Sequence, residues 1–143
     1  EGSPSIRGIC RTIEESLENA SMSIENIDFI SPHACGVPEL DRAESISLRK
    51  VFGALMDKIP ITTYTMHMGY SLAASAFVDL AIALDSMRHQ RILPSCGPKV
   101  CDPASDFRFV KDFPWYGPLN TLLKLKLALS GSVGSLVISR FSL

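Results

Sequence analysis

Leucines occupy every second position from Leu123 to Leu129, with Lys124, Lys126 and Ala128 between them. A period of two belongs to a strand, because only there do successive side chains point to opposite faces. The alternation predicts a half-buried β-strand. Ser130 to Gly134 supplies a turn, and Leu136 to Phe141 returns as an antiparallel partner. The chain therefore closes on a hairpin.

Upstream, segments of helical period alternate with short apolar runs. Ser3-Pro4 offers an N-cap followed by proline at the first helical position. Ile6, Ile9, Cys10, Ile13, Leu17 and Ala20 then recur at steps of three and four, one stripe of a helix. Asn19 to Asn26 is polar and reads as a loop. Ile27 to Ser31 reads as a strand that ends at Pro32-His33. A second helix is expected from about Asp41 to Phe52, stopped near Gly53. Ile59 to Thr63 reads as a second strand, with Pro60 tolerated near its start. A third helix is expected from Tyr70 to His89, with Leu72, Ala76, Leu80 and Leu84 on one line and Ala73, Phe77 and Ala81 on the next. As the most apolar helix it should be the most buried. Between Ser95 and Gly117 only Phe107 to Val110 reads as a strand. This order implies an α/β fold with a mixed sheet. Strands joined through a helix should be parallel, and the closing pair antiparallel.

Composition narrows the function classes. With 46% hydrophobic and 20% charged residues, the 143-residue chain is an ordinary globular sequence, neither disordered nor collagenous nor a coiled coil. One domain is expected over residues 1–143. Fourteen basic and fifteen acidic residues leave a net charge of −1, without the basic excess of a nucleic-acid domain. The longest apolar stretch, Leu72 to Leu84, is broken by Ser75 and Asp79 and is too short to span a bilayer. The first residues lack the basic and apolar regions of a signal peptide, and four irregularly spaced cysteines make no disulfide framework. A cytoplasmic chain is the expectation. Cys96 and Cys101, with only Asp102 and Asp106 nearby, read as two unconnected thiols and not a metal site.

The chemistry-bearing residues cluster around the end of the first strand. A histidine there, His33, sits where open α/β sheets bind ligands. Asp41 and Glu44 continue the apolar stripe of Leu48, Val51, Phe52 and Leu55 toward the start of the second helix. They read either as an N-cap with its capping-box partner or as carboxylates that orient His33. Cys10 lies on the first helix's apolar stripe and reads as packing.

The run Ser31-Pro32-His33-Ala34-Cys35-Gly36-Val37-Pro38-Glu39-Leu40-Asp41-Arg42-Ala43-Glu44 resembles the β-ketoacyl synthase motif N-x-H-G-T-G-T-x-x-x-D-x-x-E, matching at His33, Gly36, Asp41 and Glu44. Val51-Phe52-Gly53 follows as the family's V-F-G does. Thr62 to Tyr70 resembles S-T-K-S-M-T-G-H, and Ile92-Leu93-Pro94 the later x-L-P-P. The resemblance implies the C-terminal lobe of a thiolase-fold condensing enzyme of fatty acid or polyketide synthesis. The family condenses acyl thioesters carried on the phosphopantetheine of acyl carrier protein, with no other cofactor and no metal. Expected partners are that carrier protein and the chain's own N-terminal lobe or a partner synthase subunit.

The resemblance also marks departures. It implies a catalytic His33, with Asp41 and Glu44 as support. The second family histidine falls on Tyr70, which can still donate a hydrogen bond. The family lysine falls on Thr65, and the two threonines that hold the pantetheine arm fall on Cys35 and Val37. Cys35 reads as pocket-lining, or as a thiol activated by His33. His67 is a further candidate for the pocket, but using it as the second histidine shifts the frame by three and loses Gly69. Ser130 to Gly134 stands where the family has a longer glycine-phenylalanine gate. Such losses also suit a degenerate relative that acts as a chain-length-factor type of partner. A plain interaction module is disfavoured by the joint retention of His33, Asp41 and Glu44.

Overall fold

A computed structural model describes residues 4–95 and 107–141. Helix α1 (Ile6–Asn19) begins at Ser5, whose Oγ accepts from the Gly8 N–H at 3.0 Å. That cap lies two residues beyond the expected Ser3, which is outside the described residues. Ile9, Ile13 and Leu17 form its buried stripe. Strand β1 (Phe29–Ser31) is buried at all three positions. Helix α2 (Pro38–Phe52) starts three residues earlier than expected. Pro38 stands in its first turn, where a fixed φ and a missing N–H are tolerated. It stops at Gly53, whose φ of 55° suits glycine.

Strand β4 (Thr121–Leu127) is the centre of the sheet. It runs parallel to β1, with Phe29 opposite Leu122, and antiparallel to β5 (Val133–Ser139), with Leu125 opposite Ser135. The hairpin is therefore present, two residues ahead of its expected register. The expected strands at Ile59–Thr63 and Phe107–Val110 are reduced to single parallel bridges, Ile30 to Ile61 and Ile61 to Phe109. The connection from β1 through α2 to Ile61 is parallel, as the helix between them requires. A separate two-stranded ribbon pairs β2 (Arg91–Ile92) with β3 (Trp115–Tyr116). Helices α1 and α2 cover one face of the sheet, over Leu123, Leu125 and Leu127.

The other face differs from expectation. The helix expected from Tyr70 is broken: α3 (Thr65–Met68) is a single turn, Gly69 and Leu72 take φ of 77° and 50°, and α4 (Ser75–His89) begins only after a 3₁₀ turn at Leu72–Ala74. The inward stripe of α4 is Ser75, Asp79, Ala83, Ser86 and Met87, and Phe77 on the outer side is 75% exposed. The most apolar helix is thus not the most buried. Phe77 and Leu84 stay exposed, and a mixed line that carries Asp79 as well as Ala83 and Met87 faces the sheet, with Leu80 packed beside it.

That line meets the lysines of β4. Lys124 is buried, not solvated, because α4 covers this face as well. Its Nζ donates to Asp79 Oδ2 at 3.1 Å, to Pro32 O at 3.0 Å and to Ser31 Oγ at 3.2 Å. All three ammonium protons are used, which meets the desolvation cost of a buried charge. Burial lowers the Lys124 pKa, and Asp79 opposes that shift. Lys124→Ala should strand the buried Asp79 carboxylate and lose about 3–5 kcal/mol of stability. Lys124→Met with Asp79→Leu should recover most of that loss. Urea unfolding of both variants checks this, and equal losses in the single and double variants would contradict it.

Candidate active site at the carboxyl ends of the parallel strands

β1 leads directly into His33, and two carboxylates on α2 hold the turn that follows. Glu44 accepts from the His33 N–H at 2.6 Å and the Ala34 N–H at 2.9 Å. Asp41 accepts from the Cys35 N–H at 3.1 Å and the Gly36 N–H at 3.0 Å. Four successive backbone donors are thus satisfied by side chains three residues apart on one helix face. The tether lets the loop curl, with φ of 39° at Ala34 and 83° at Gly36. Neither sequence expectation for this pair is met in detail. The N-cap of α2 is Val37, and the carboxylates hold the main chain of the loop, not the His33 ring. Burial pushes the Glu44 carboxyl up to about 7, against the pull of its two N–H donors.

The His33 side chain is the unusual one. The residue is 1% exposed, and both ring nitrogens are buried without a hydrogen-bond partner among the described residues. Burial, aided by the charges of Lys126 and Lys124, lowers its pKa to about 4. At neutral pH the imidazole is therefore uncharged, with one N–H to give and one nitrogen to accept. The Tyr70 ring meets it edge-on, with centroids 5.7 Å apart and planes at 68°. Two residues 37 positions apart in sequence are thereby brought together as expected.

His67 is not. It is exposed on α3, and its ring lies 6.1 Å from that of Tyr64. Thr65 is buried at the start of α3, with its hydroxyl 3.4 Å from that of Thr63. Val37 is half-buried at the loop's end. Cys35 is half-buried too, and burial raises its thiol pKa, so His33 does not activate it as a thiolate. Cys10 lies between helices, its thiol 3.8 Å from the Ser47 carbonyl. Cys96 and Cys101 fall outside the described residues. Among the described residues no group of three or more His, Cys, Asp or Glu side chains is placed to hold a metal. Sequence reasoning missed Lys126, whose Nζ sits 4.8 Å from the Tyr70 ring centroid and donates to Ser75 Oγ. It also missed the Lys124–Asp79 pair. The available signal was two lysines in a strand with sequence on both sides able to cover it, and an acid, Asp79, inside the apolar stretch from Leu72 to Leu84.

The loop, its two tethering carboxylates and the ring pair belong to a stretch that matches a family model over residues 2–98, that of the beta-ketoacyl synthase C-terminal domain. The chain belongs to the beta-ketoacyl synthase family. It is 32% identical over 133 residues to the tetracenomycin polyketide synthase ketoacyl synthase beta subunit of Streptomyces glaucescens, covering 93% of this chain and 32% of that protein. It is 24% identical to 3-oxoacyl-[acyl-carrier-protein] synthase 2 of Coxiella burnetii, over 96% of this chain and 33% of that one. The chain therefore spans about a third of the length of these relatives. The fold matches the solved ishigamide ketosynthase/chain length factor with a TM-score of 0.89 at 23% identity, over 99% of this chain and 34% of that structure.

Within this beta-ketoacyl synthase domain the α/β fold with its mixed parallel and antiparallel sheet is as expected. Among the described residues no helix is long and apolar enough to cross a membrane. Two outcomes follow from the site's geometry. Glu44→Gln keeps the shape but leaves one acceptor oxygen for two N–H groups. Hydrogen exchange at His33 and Ala34 should accelerate, and unchanged protection would contradict the tether. For His33 the folded pKa, about 4, lies below the ordinary 6.5. The stability tied to its neutral form is complete above pH 6.5 and is lost as pH falls toward 4. His33→Gln should therefore flatten the fall of Tm over that window, and parallel Tm curves for the two proteins would count against it.

Proposed function

We propose that this domain forms the half of a decarboxylating condensation site that handles the malonyl thioester. The observation that carries the reading is the buried His33 imidazole, unpartnered at both nitrogens among the described residues, with Tyr70 at its edge. An unpartnered buried polar group is costly unless a ligand completes it. The ligand chemistry that fits is a thioester oxygen gaining negative charge. As the bond between the malonyl α-carbon and its carboxylate breaks, carbon dioxide leaves and the electron pair moves onto the thioester oxygen as an enolate. His33 and Tyr70 donate hydrogen bonds to that oxygen. The α-carbon then attacks an acyl thioester held on a cysteine, and the cysteine sulfur leaves as thiolate. The raised pKa of the Cys35 thiol and the packing of Cys10 between helices support a nucleophile borne by another lobe.

The outward apolar line of α4, with Phe77 and Leu84, and the nearby Leu72 and Met68 form an exposed patch fitted to that second lobe, either the chain's own N-terminal lobe or a partner synthase subunit. The substrate rides on the phosphopantetheine of acyl carrier protein, and no further cofactor is needed. The test uses the protein expressed from its whole reading frame, with malonyl-carrier protein and carbon dioxide release as the readout. His33→Ala should abolish release while acylation of the cysteine continues. Tyr70→Phe should lower release ~10²-fold, the loss of one oxyanion donor, and Tyr70→His should restore it. A silent Tyr70→Phe would reduce Tyr70 to a filler of the pocket.

A second reading is favoured by Thr65 at the family's lysine position and by the likeness to a ketoacyl synthase beta subunit. On that reading the chain is a non-catalytic partner that shapes the pocket of an active subunit. No carbon dioxide release from the wild type, together with co-purification with an active synthase subunit, would establish it instead.

A further inference from the structure

We propose that Lys126 is the cation of this site and binds the carboxylate of a malonyl-type thioester. The inference rests on the function proposed above, and it concerns a residue on β4, a different element from the loop and turn that carry the family motifs.

The two lysines of β4 have different duties. Lys124 gives its three protons to Ser31, Pro32 and Asp79, and the Asp79 charge is neutralised there. Lys126, two residues further and one strand repeat nearer the carboxyl edge, gives one proton to Ser75 Oγ. Among the described residues no carboxylate lies within ion-pair distance of it. Two ammonium protons are left for a ligand. The side chain is only partly buried, and its Nζ lies over the Tyr70 ring, which in turn meets His33.

Lys126, Tyr70 and His33 therefore stand in one row of contacts, an ammonium over a phenol ring that meets an imidazole. Such a set is suited to an anion. Two of the three are neutral at pH 7, so the net charge that meets a carboxylate comes from the lysine. Its field is felt at His33, where it stands second only to burial in lowering that ring's pKa. Thr65, by contrast, is buried against Thr63 and brings no charge. The positive charge that the family's motif places at that position is absent there, and β4 brings one to the Tyr70 ring. A point charge on a flexible stem suits a group that must be held before decarboxylation and released as carbon dioxide.

The experiment measures binding of malonyl-pantetheine and of its neutral malonamide analogue by calorimetry. The protein is expressed from its whole reading frame as wild type, Lys126→Met and Lys126→Arg. The His33 ring titration is followed by NMR in the same three proteins. The wild type should prefer the malonyl form. Lys126→Met should weaken malonyl binding about 10- to 10²-fold, the usual loss for a charge-assisted hydrogen bond, and leave malonamide binding unchanged. Lys126→Arg should retain the preference. The His33 pKa should rise in Lys126→Met and hold in Lys126→Arg, a readout that mere packing would not move. If the wild type binds malonyl-pantetheine and Lys126→Met binds it equally, the lysine assignment falls and the proposed function stands. If binding depends on Lys126 but the wild type releases no carbon dioxide from malonyl-carrier protein, the lysine stands and catalysis falls. If the wild type binds no malonyl-pantetheine, both fall.

Discussion

One buried ammonium organises the molecule. Lys124 sits in the central strand and bonds at once to the end of β1, through Ser31 and Pro32, and to α4, through Asp79. A charge in that position is tolerated only with every proton used, so the three elements must meet at fixed separations. The same contacts set the height of the chain where β1 gives way to His33. They also draw a helix onto the sheet along the line that carries Asp79, Ala83 and Met87, which leaves Phe77 and Leu84 outward. The architecture of the site and the exposed face of α4 are two consequences of one ion pair.

Local chemistry decided how much of this could be read in advance. Elements whose signal is contained in their own few residues were legible: the α1 stripe, the helix stop at Gly53, the period-two hairpin, and the parallel link through α2. Those whose form depends on distant partners were not. Ile59–Thr63 and Phe107–Val110 have strand composition, but they pair only through isolated bridges, Ile61 to Ile30 and Ile61 to Phe109. The helix expected from Tyr70 lost its first turn to the positive φ at Gly69 and Leu72, a backbone preference that apolar periodicity does not report.

The site shows the same division. His33 and Tyr70 were placed by motif spacing, and the structure brings their rings together. Asp41 and Glu44 were recognised as a pair on one helix face, yet their targets, four backbone N–H groups of a curled loop, carry no side-chain signature. The lysines of β4 were read as the polar side of a half-buried strand. Alternation reveals that two faces differ, not whether the second is covered, and the cover here is a helix more than thirty residues earlier in the chain.

The grip of α2 on the loop has a consequence for how this pocket can change over time. Its contacts reach main-chain amides, which every residue type except proline provides. Side chains at positions 35 and 37 can therefore be exchanged while the path of the chain, and with it the pose of the imidazole, is kept, whereas the φ of 83° at Gly36 holds that position for glycine. Cys35 and Val37 already stand where the family's threonines are found. Side chain and scaffold are separable in this loop, so a lineage can alter what positions 35 and 37 present while the loop's frame is inherited intact.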